Sequence, residues 1–144
     1  MTSQNGQKLR GEFDKGVFFH QIYYNLYSEI IFRNIQHLDG ITIDGINISN
    51  IRYADDSVLL ATSENKLQEL IDQVVFHSKN CGMEINTKKR ECMAITKSQS
   101  IPMCKITIDG FTLNQVEKLK YLGSWITSDA KCHKDVLARI AMAK

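Results

Sequence analysis

The stretch Ile51-Arg52-Tyr53-Ala54-Asp55-Asp56-Ser57-Val58-Leu59-Leu60-Ala61-Thr62 sets two adjacent carboxylates between apolar runs. Upstream, Ile46, Ile48 and Ile51 mark a strand; downstream, Val58, Leu59 and Leu60 form a short apolar run. The pattern predicts two strands that meet at a tight bend, with Asp55 and Asp56 at the bend. Successive strand side chains point to opposite faces, so both acids share one target only where the chain turns. Two packed carboxylates repel, and one is driven toward protonation unless a cation compensates. A divalent ion such as Mg²⁺, which prefers carboxylate oxygen, is one compensation. An ordinary hairpin turn, where Asp is also favoured, is the other reading of the pair.

The flanks narrow the choice. Tyr53-Ala54-Asp55-Asp56 between apolar strands resembles the metal-binding palm hairpin of reverse transcriptases. With Arg52 before it and an apolar trio after it, the longer string most resembles the non-LTR (LINE-type) retrotransposon branch. The resemblance implies two-metal nucleotidyl transfer, in which a primer 3′-hydroxyl attacks the α-phosphate of a deoxynucleotide on an RNA template. It makes Asp55 and Asp56 the catalytic ligands of Mg²⁺ or Mn²⁺, Asp55 the principal one, and puts Tyr53 near the primer or nucleotide.

Three further strings keep the family's order. Asn25-Leu26-Tyr27-Ser28-Glu29 matches the helix after the family's Arg-Gln-Gly-Cys-x-Leu-Ser-Pro loop. That register keeps Gly16, implied to lie at the nucleotide. It sets Lys15, Val17, His20 and Gln21 where the family has Gln, Cys, Ser and Pro. Gly82-Met83-Glu84-Ile85-Asn86-Thr87-Lys88-Lys89 resembles the family's Gly-Leu-x-Ile-Asn-x-x-Lys turn. Lys89 is then implied near the leaving phosphate, where a lysine neutralises developing charge or donates a proton. A solvated basic turn, with Lys88 as a nucleic-acid contact, is the alternative there. Leu119-Lys120-Tyr121-Leu122-Gly123 resembles the Phe-Lys-Tyr-Leu-Gly strand that helps hold the primer end. Tyr121, Leu122 and Gly123 are thereby implied at the primer and Lys120 on nucleic acid. The resemblance runs from about Gly16 to Lys144.

Composition agrees without deciding. The 144 residues suffice for one domain with a real core and are short for a whole polymerase. The net charge of +2 is unevenly spread: residues 1–85 carry −4 and residues 86–144 carry +6. An acidic part able to hold cations, joined to a basic part, suits a nucleic-acid partner. Cys81, Cys92, Cys104 and Cys132 are irregularly spaced, with no Cys-x-x-Cys and no signal peptide in view. Reduced thiols in an intracellular protein, cytoplasmic or nuclear, are therefore expected. No run approaches the ~20 apolar residues of a membrane span, so no membrane partner is expected.

In chain order, residues 1–14 read as a polar arm. An amphipathic helix follows within residues 16–35, with Phe19, Ile22, Tyr23, Leu26 and Ile30 as its expected buried face. Asp44-Gly45 between alternating isoleucines predicts a hairpin, and Asp109-Gly110 predicts a second. Ser63 and Glu64 open a helix whose Leu67, Leu70, Ile71, Val74 and Val75 share a face, with Gln68 read as solvent-facing. Cys81-Gly82 stops it. Ser128-Asp129 is expected to cap a final basic helix running through Arg139.

These readings predict an α+β fold: a partial polymerase palm, with an antiparallel sheet carrying the Asp-Asp hairpin and packed by helices. Its parts are an arm (1–14), a partial palm (15–117) and a primer-grip-like strand with the start of a thumb helix (118–144). The function implied is that of an RNA-directed DNA polymerase fragment, with RNA template, DNA primer and deoxynucleotides as partners. The family places a further metal-binding aspartate upstream of the Gly16 loop, and residues 1–14 offer only Glu12 and Asp14 in no matching string. The isolated chain is therefore expected to be inactive. The rival readings are a non-catalytic nucleic-acid-binding remnant and a palm-related nucleotidyl cyclase. The cyclase leaves the Asn86-to-Lys89 and Tyr121-Leu122-Gly123 strings without an explanation.

Overall fold

The computed structural model of the chain describes residues 23–131 and 133–142. The expectations for Gly16, its loop and the arm over 1–14 lie outside these residues. The described chain is mixed α+β and forms two compact units. One takes the described residues up to Thr62 together with Glu69–Glu84; the other takes Ser63–Gln68 and the described residues from Ile85 on.

The first unit begins with helix α1 over residues 23–33. Its buried residues are Ile31 and Phe32, followed by Ile35 in the turn after it. They cluster with Leu70, and Leu38, Leu59, Ala61, Val74, Cys81 and Met83 pack against that cluster. Burying each large apolar side chain of this kind stabilises the fold by roughly 1.5–3 kcal/mol. The face expected to be buried is not: Tyr23, Leu26 and Ile30 are exposed, and Phe19 and Ile22 lie outside the described residues. Apolar side chains occupy both stripes of this helix, and packing on Leu70 selects the one that continues into Ile35.

Strands β1 (Ile41–Ile43) and β2 (Ile46–Ile48) form the hairpin expected at Asp44-Gly45. Positive φ at Asp44 (50°) and Gly45 (80°) gives the primed turn that matches strand twist. Gly40, just before β1, is obligatory for another reason. A Cβ there would lie 2.1 Å from the Ile48 carbonyl oxygen, and the Gly40 amide donates to Asn47 Oδ1 at 2.8 Å. Strands β3 (Asn50–Tyr53) and β4 (Asp56–Leu59) follow as a second hairpin.

Helix α2 (Glu64–Asn80) has the ends its sequence predicts. The Ser63 hydroxyl accepts from the Lys66 amide at 3.3 Å. At the other end Gly82 takes φ 71°, its amide donates to Lys79 O, and the Met83 amide donates to Ser78 O. That pair of bonds is a Schellman closure. Leu70 and Ile71 are buried, and Leu67, Val74 and Val75 are half-buried. Gln68 is not solvent-facing as expected: in the second unit its side chain bonds both polar groups of the Thr107 backbone.

The second unit continues with a 3₁₀ turn, Thr87–Lys89, and β5 (Glu91–Cys92), β6 (Thr107–Ile108), β7 (Phe111–Thr112) and β8 (Asn114–Gln115). The Asp109-Gly110 hairpin joins β6 to β7 as expected, while β5 pairs with β8 in parallel. Strands β9 (Lys118–Tyr121) and β10 (Ser124–Thr127) form a last hairpin, and helix α3 spans His133–Met142. In place of one antiparallel sheet, the described strands form five two-stranded ladders, four antiparallel and one parallel. The expected cap at Ser128-Asp129 is also corrected. Asp129 instead accepts from the Thr127 hydroxyl (2.6 Å) and the Lys131 amide (3.1 Å), Ala130 turns to φ 57°, and α3 starts at His133.

Candidate functional site

The β3–β4 hairpin has a two-residue turn, Ala54-Asp55, closed by the Tyr53↔Asp56 pair. Asp55 thus lies in the turn and Asp56 opens β4, both exposed. Ala54 has φ 49°, whereas Asp55 does not take positive φ. A positive φ confined to the first turn residue is the type II′ pattern, which favours glycine there. Alanine holds that conformation at a cost of about 1–2 kcal/mol, so the surrounding contacts must maintain it.

Register sets what each face of the hairpin presents. Tyr53 and Asp56 are directly opposite, so their side chains share a face, and Ile51 with Val58 belongs to the same face. Tyr53 is 64% exposed. Arg52 points the other way, toward α1. Its Nη1 lies 3.1 Å from Glu29 Oε2, and its guanidinium stacks 4.8 Å from the Phe32 ring centroid. Glu29 also accepts from Arg33 Nε at 2.9 Å. The Arg33 hydrogen bond first, and the Arg52 hydrogen bond second, hold the Glu29 carboxyl below the usual carboxylate range. At the tip, the Tyr24 hydroxyl donates to the Asp55 carbonyl oxygen at 3.5 Å.

The other expected site residues lie in the second unit. Lys88 and Lys89 are exposed on the 3₁₀ turn, where the Asn86 side chain accepts from the Lys88 amide at 3.1 Å. Lys120 is exposed on β9. The string read as a strand is in fact a hairpin: Leu122 (φ 49°) and Gly123 (φ 81°) form the turn between β9 and β10. Leu122 is exposed at the tip. Tyr121 is half-buried, and its hydroxyl oxygen is buried with no hydrogen-bond partner among the described residues. Lys118 Nζ sits 5.5 Å from the Trp125 ring centroid, and Arg139 Nη2 donates to Ser124 Oγ at 2.6 Å.

For a divalent ion, Asp55 and Asp56 offer carboxylate oxygens from adjacent positions at one exposed tip. That donor set fits Mg²⁺, which binds through one or two carboxylates and keeps waters and substrate phosphates for its other positions. Among the described residues no group of three or more His, Cys, Asp or Glu side chains is placed to hold a metal ion.

A sequence model described as reverse transcriptase (RNA-dependent DNA polymerase) matches residues 18–126, well over half of the chain. The chain belongs to the reverse transcriptase family. A transposon-derived protein of Caenorhabditis elegans is 35% identical over 51 residues, a stretch covering 35% of this chain and 18% of that protein. The match to the reverse transcriptase family takes in the β3–β4 hairpin, α2, the Lys88-Lys89 turn and the β9–β10 turn; α3 follows it. On this hairpin the sequence marks Tyr53, Asp55 and Asp56 as candidates; it gives Glu29 and Arg52 only as members of longer strings and singles out neither their ion pair nor Tyr24. An arginine inside an apolar strand, with Glu29 and Arg33 one helical turn apart, was the available signal. No helix of the described residues is long and apolar enough to cross a membrane.

Proposed function

We propose that this chain is the partial palm and first thumb element of a LINE-type RNA-directed DNA polymerase, acting inside the cell on an RNA template, a DNA primer and deoxynucleotides. The observation that carries the reading is the β3–β4 hairpin, which sets Asp55 and Asp56 at one exposed tip within the family match. Asp55 and Asp56 are the residues that would hold Mg²⁺ or Mn²⁺. When bound, such an ion neutralises charge on the reacting phosphate oxygens and favours the ionised primer hydroxyl.

The chain's own groups do the rest. Asp56 and Tyr53 share the exposed face of the hairpin, so the carboxylate and the aromatic ring meet the same substrate end. Lys89 supplies positive charge, or a proton, to the leaving phosphate. Gly16 is assigned to the nucleotide, Tyr121, Leu122 and Gly123 to the primer, and Lys88 and Lys120 to nucleic-acid phosphates. Among the described residues two carboxylates meet at this tip, fewer than a two-metal site requires, and on that ground the chain alone is assigned no polymerase activity.

Primer extension tests this. The purified chain is expected to give none with Mg²⁺ or Mn²⁺, whereas a longer chain that carries an upstream aspartate strand extends the primer and loses extension with Asp55→Asn. Extension by the longer chain that Asp55→Asn leaves intact would overturn the assignment.

A further inference from the structure

We propose that α1 sets the mutual orientation of the two hairpin carboxylates through a two-point dock, with Tyr24 and Arg52 as positioning residues. This inference rests on the reading of Asp55 and Asp56 as metal ligands. The first point is at the tip, where Tyr24 Oη donates to the Asp55 carbonyl. The second is on the stem, where Arg52 is held by Glu29 and stacked on buried Phe32.

The spans agree. From Tyr24 to Glu29 and Phe32 the helix advances about 8–12 Å, and from Asp55 back to Arg52 the strand covers about 10 Å. β3 therefore runs antiparallel to α1 with both ends fastened. The carbonyl that Tyr24 holds belongs to the peptide joining Asp55 to Asp56. That peptide is planar, so only ψ of Asp55 and φ of Asp56 relate the two Cβ directions, and a bond that restrains the carbonyl restrains the plane about which both dihedrals turn. A hydrogen bond at this oxygen thus acts on both carboxylates while touching neither. It also helps to keep Ala54 at its unfavourable φ of 49°.

The Arg52 contacts lie on the face opposite Tyr53 and Asp56. The arrangement explains why a half-exposed tyrosine and an ion pair back an otherwise solvent-exposed turn.

The test compares Tyr24→Phe, which keeps the ring and removes only the hydroxyl, with wild type in the 144-residue chain. Amide hydrogen exchange at Asp55 and Asp56 is expected to quicken about threefold to tenfold, the scale of one hydrogen bond, with the melting temperature unchanged. Mn²⁺ affinity should weaken by a similar factor, and Arg52→Lys, which keeps charge but loses the planar stack and fork, should weaken it further. Unchanged exchange at Asp55 and Asp56 in Tyr24→Phe would overturn the dock. If wild type binds no Mn²⁺ that Asp55→Asn removes, the metal reading fails, while exchange at the turn still decides the dock by itself.

Discussion

The Gln68 side chain clasps the backbone of Thr107: Nε2 donates to its carbonyl at 2.8 Å and Oε1 accepts from its amide at 2.9 Å. A side-chain amide here plays the part of a neighbouring strand, on the edge of β6 that β7 leaves unpaired. Gln68 and Thr107 both belong to the second unit, so the clasp is internal to it.

Removing that clasp leaves two partly buried backbone groups without partners. Gln68→Ala is expected to cost about 1–3 kcal/mol, while exposed Gln73→Ala stays within about 0.5 kcal/mol. Urea titrations of the two variants check this, and equal losses would refute the role given to Gln68.

Leu70 is fully buried against Ile31, Phe32 and Ile35. Leu70→Ala should destabilise the chain by about 2–5 kcal/mol. A loss no larger than that of Gln73→Ala would contradict the first-unit core.

Burial pushes the Cys92 and Cys104 thiols up, helped at Cys92 by its neighbour Cys104 and at Cys104 by the charge of Glu64. The folded values are raised, so this contribution is complete below the ordinary cysteine value and is lost as pH rises through the folded one. Glu29 and Asp129 behave oppositely. Their folded values are lowered, by Arg33 and by Thr127 first, so their contribution is present above the ordinary carboxylate values and is lost on acidification. Melting temperature against pH should fall at both ends, and Cys92→Ala should flatten the alkaline limb.

Nucleic-acid binding through the basic second unit should weaken linearly in log–log plots against salt. Lys120→Ala is expected to weaken it across sequences alike and to reduce the slope by about 1. Filter binding over a salt series measures both quantities. A slope near zero would remove the phosphate-binding reading.

Much of this fold is legible where one residue type forces one conformation. Asp44-Gly45 and Asp109-Gly110 announce their hairpins because Gly takes positive φ without strain, and Ser63 and Gly82 bracket α2 by the same local chemistry. The Leu122-Gly123 turn is harder to read, because leucine at φ 49° carries no turn signal. The α1 face is ambiguous for a different reason. Tyr23, Leu26 and Ile30 form as apolar a stripe as Ile31, Phe32 and Ile35, and only tertiary packing chooses between them. At the candidate site the carboxylates and Tyr53 stand out by their string, whereas Tyr24, Glu29 and Arg52 act across 23 to 31 residues of separation that no local pattern records.

The most direct test of the central claim is a Mn²⁺ titration of the 144-residue chain, followed by water-proton relaxation, for wild type and Asp55→Asn. Wild type should bind weakly at one site, and Asp55→Asn should weaken that binding by about tenfold or more, equivalent to roughly 1.4 kcal/mol. Indistinguishable titrations would contradict the assignment of the Asp55-Asp56 hairpin as the metal-binding element of this reverse transcriptase chain.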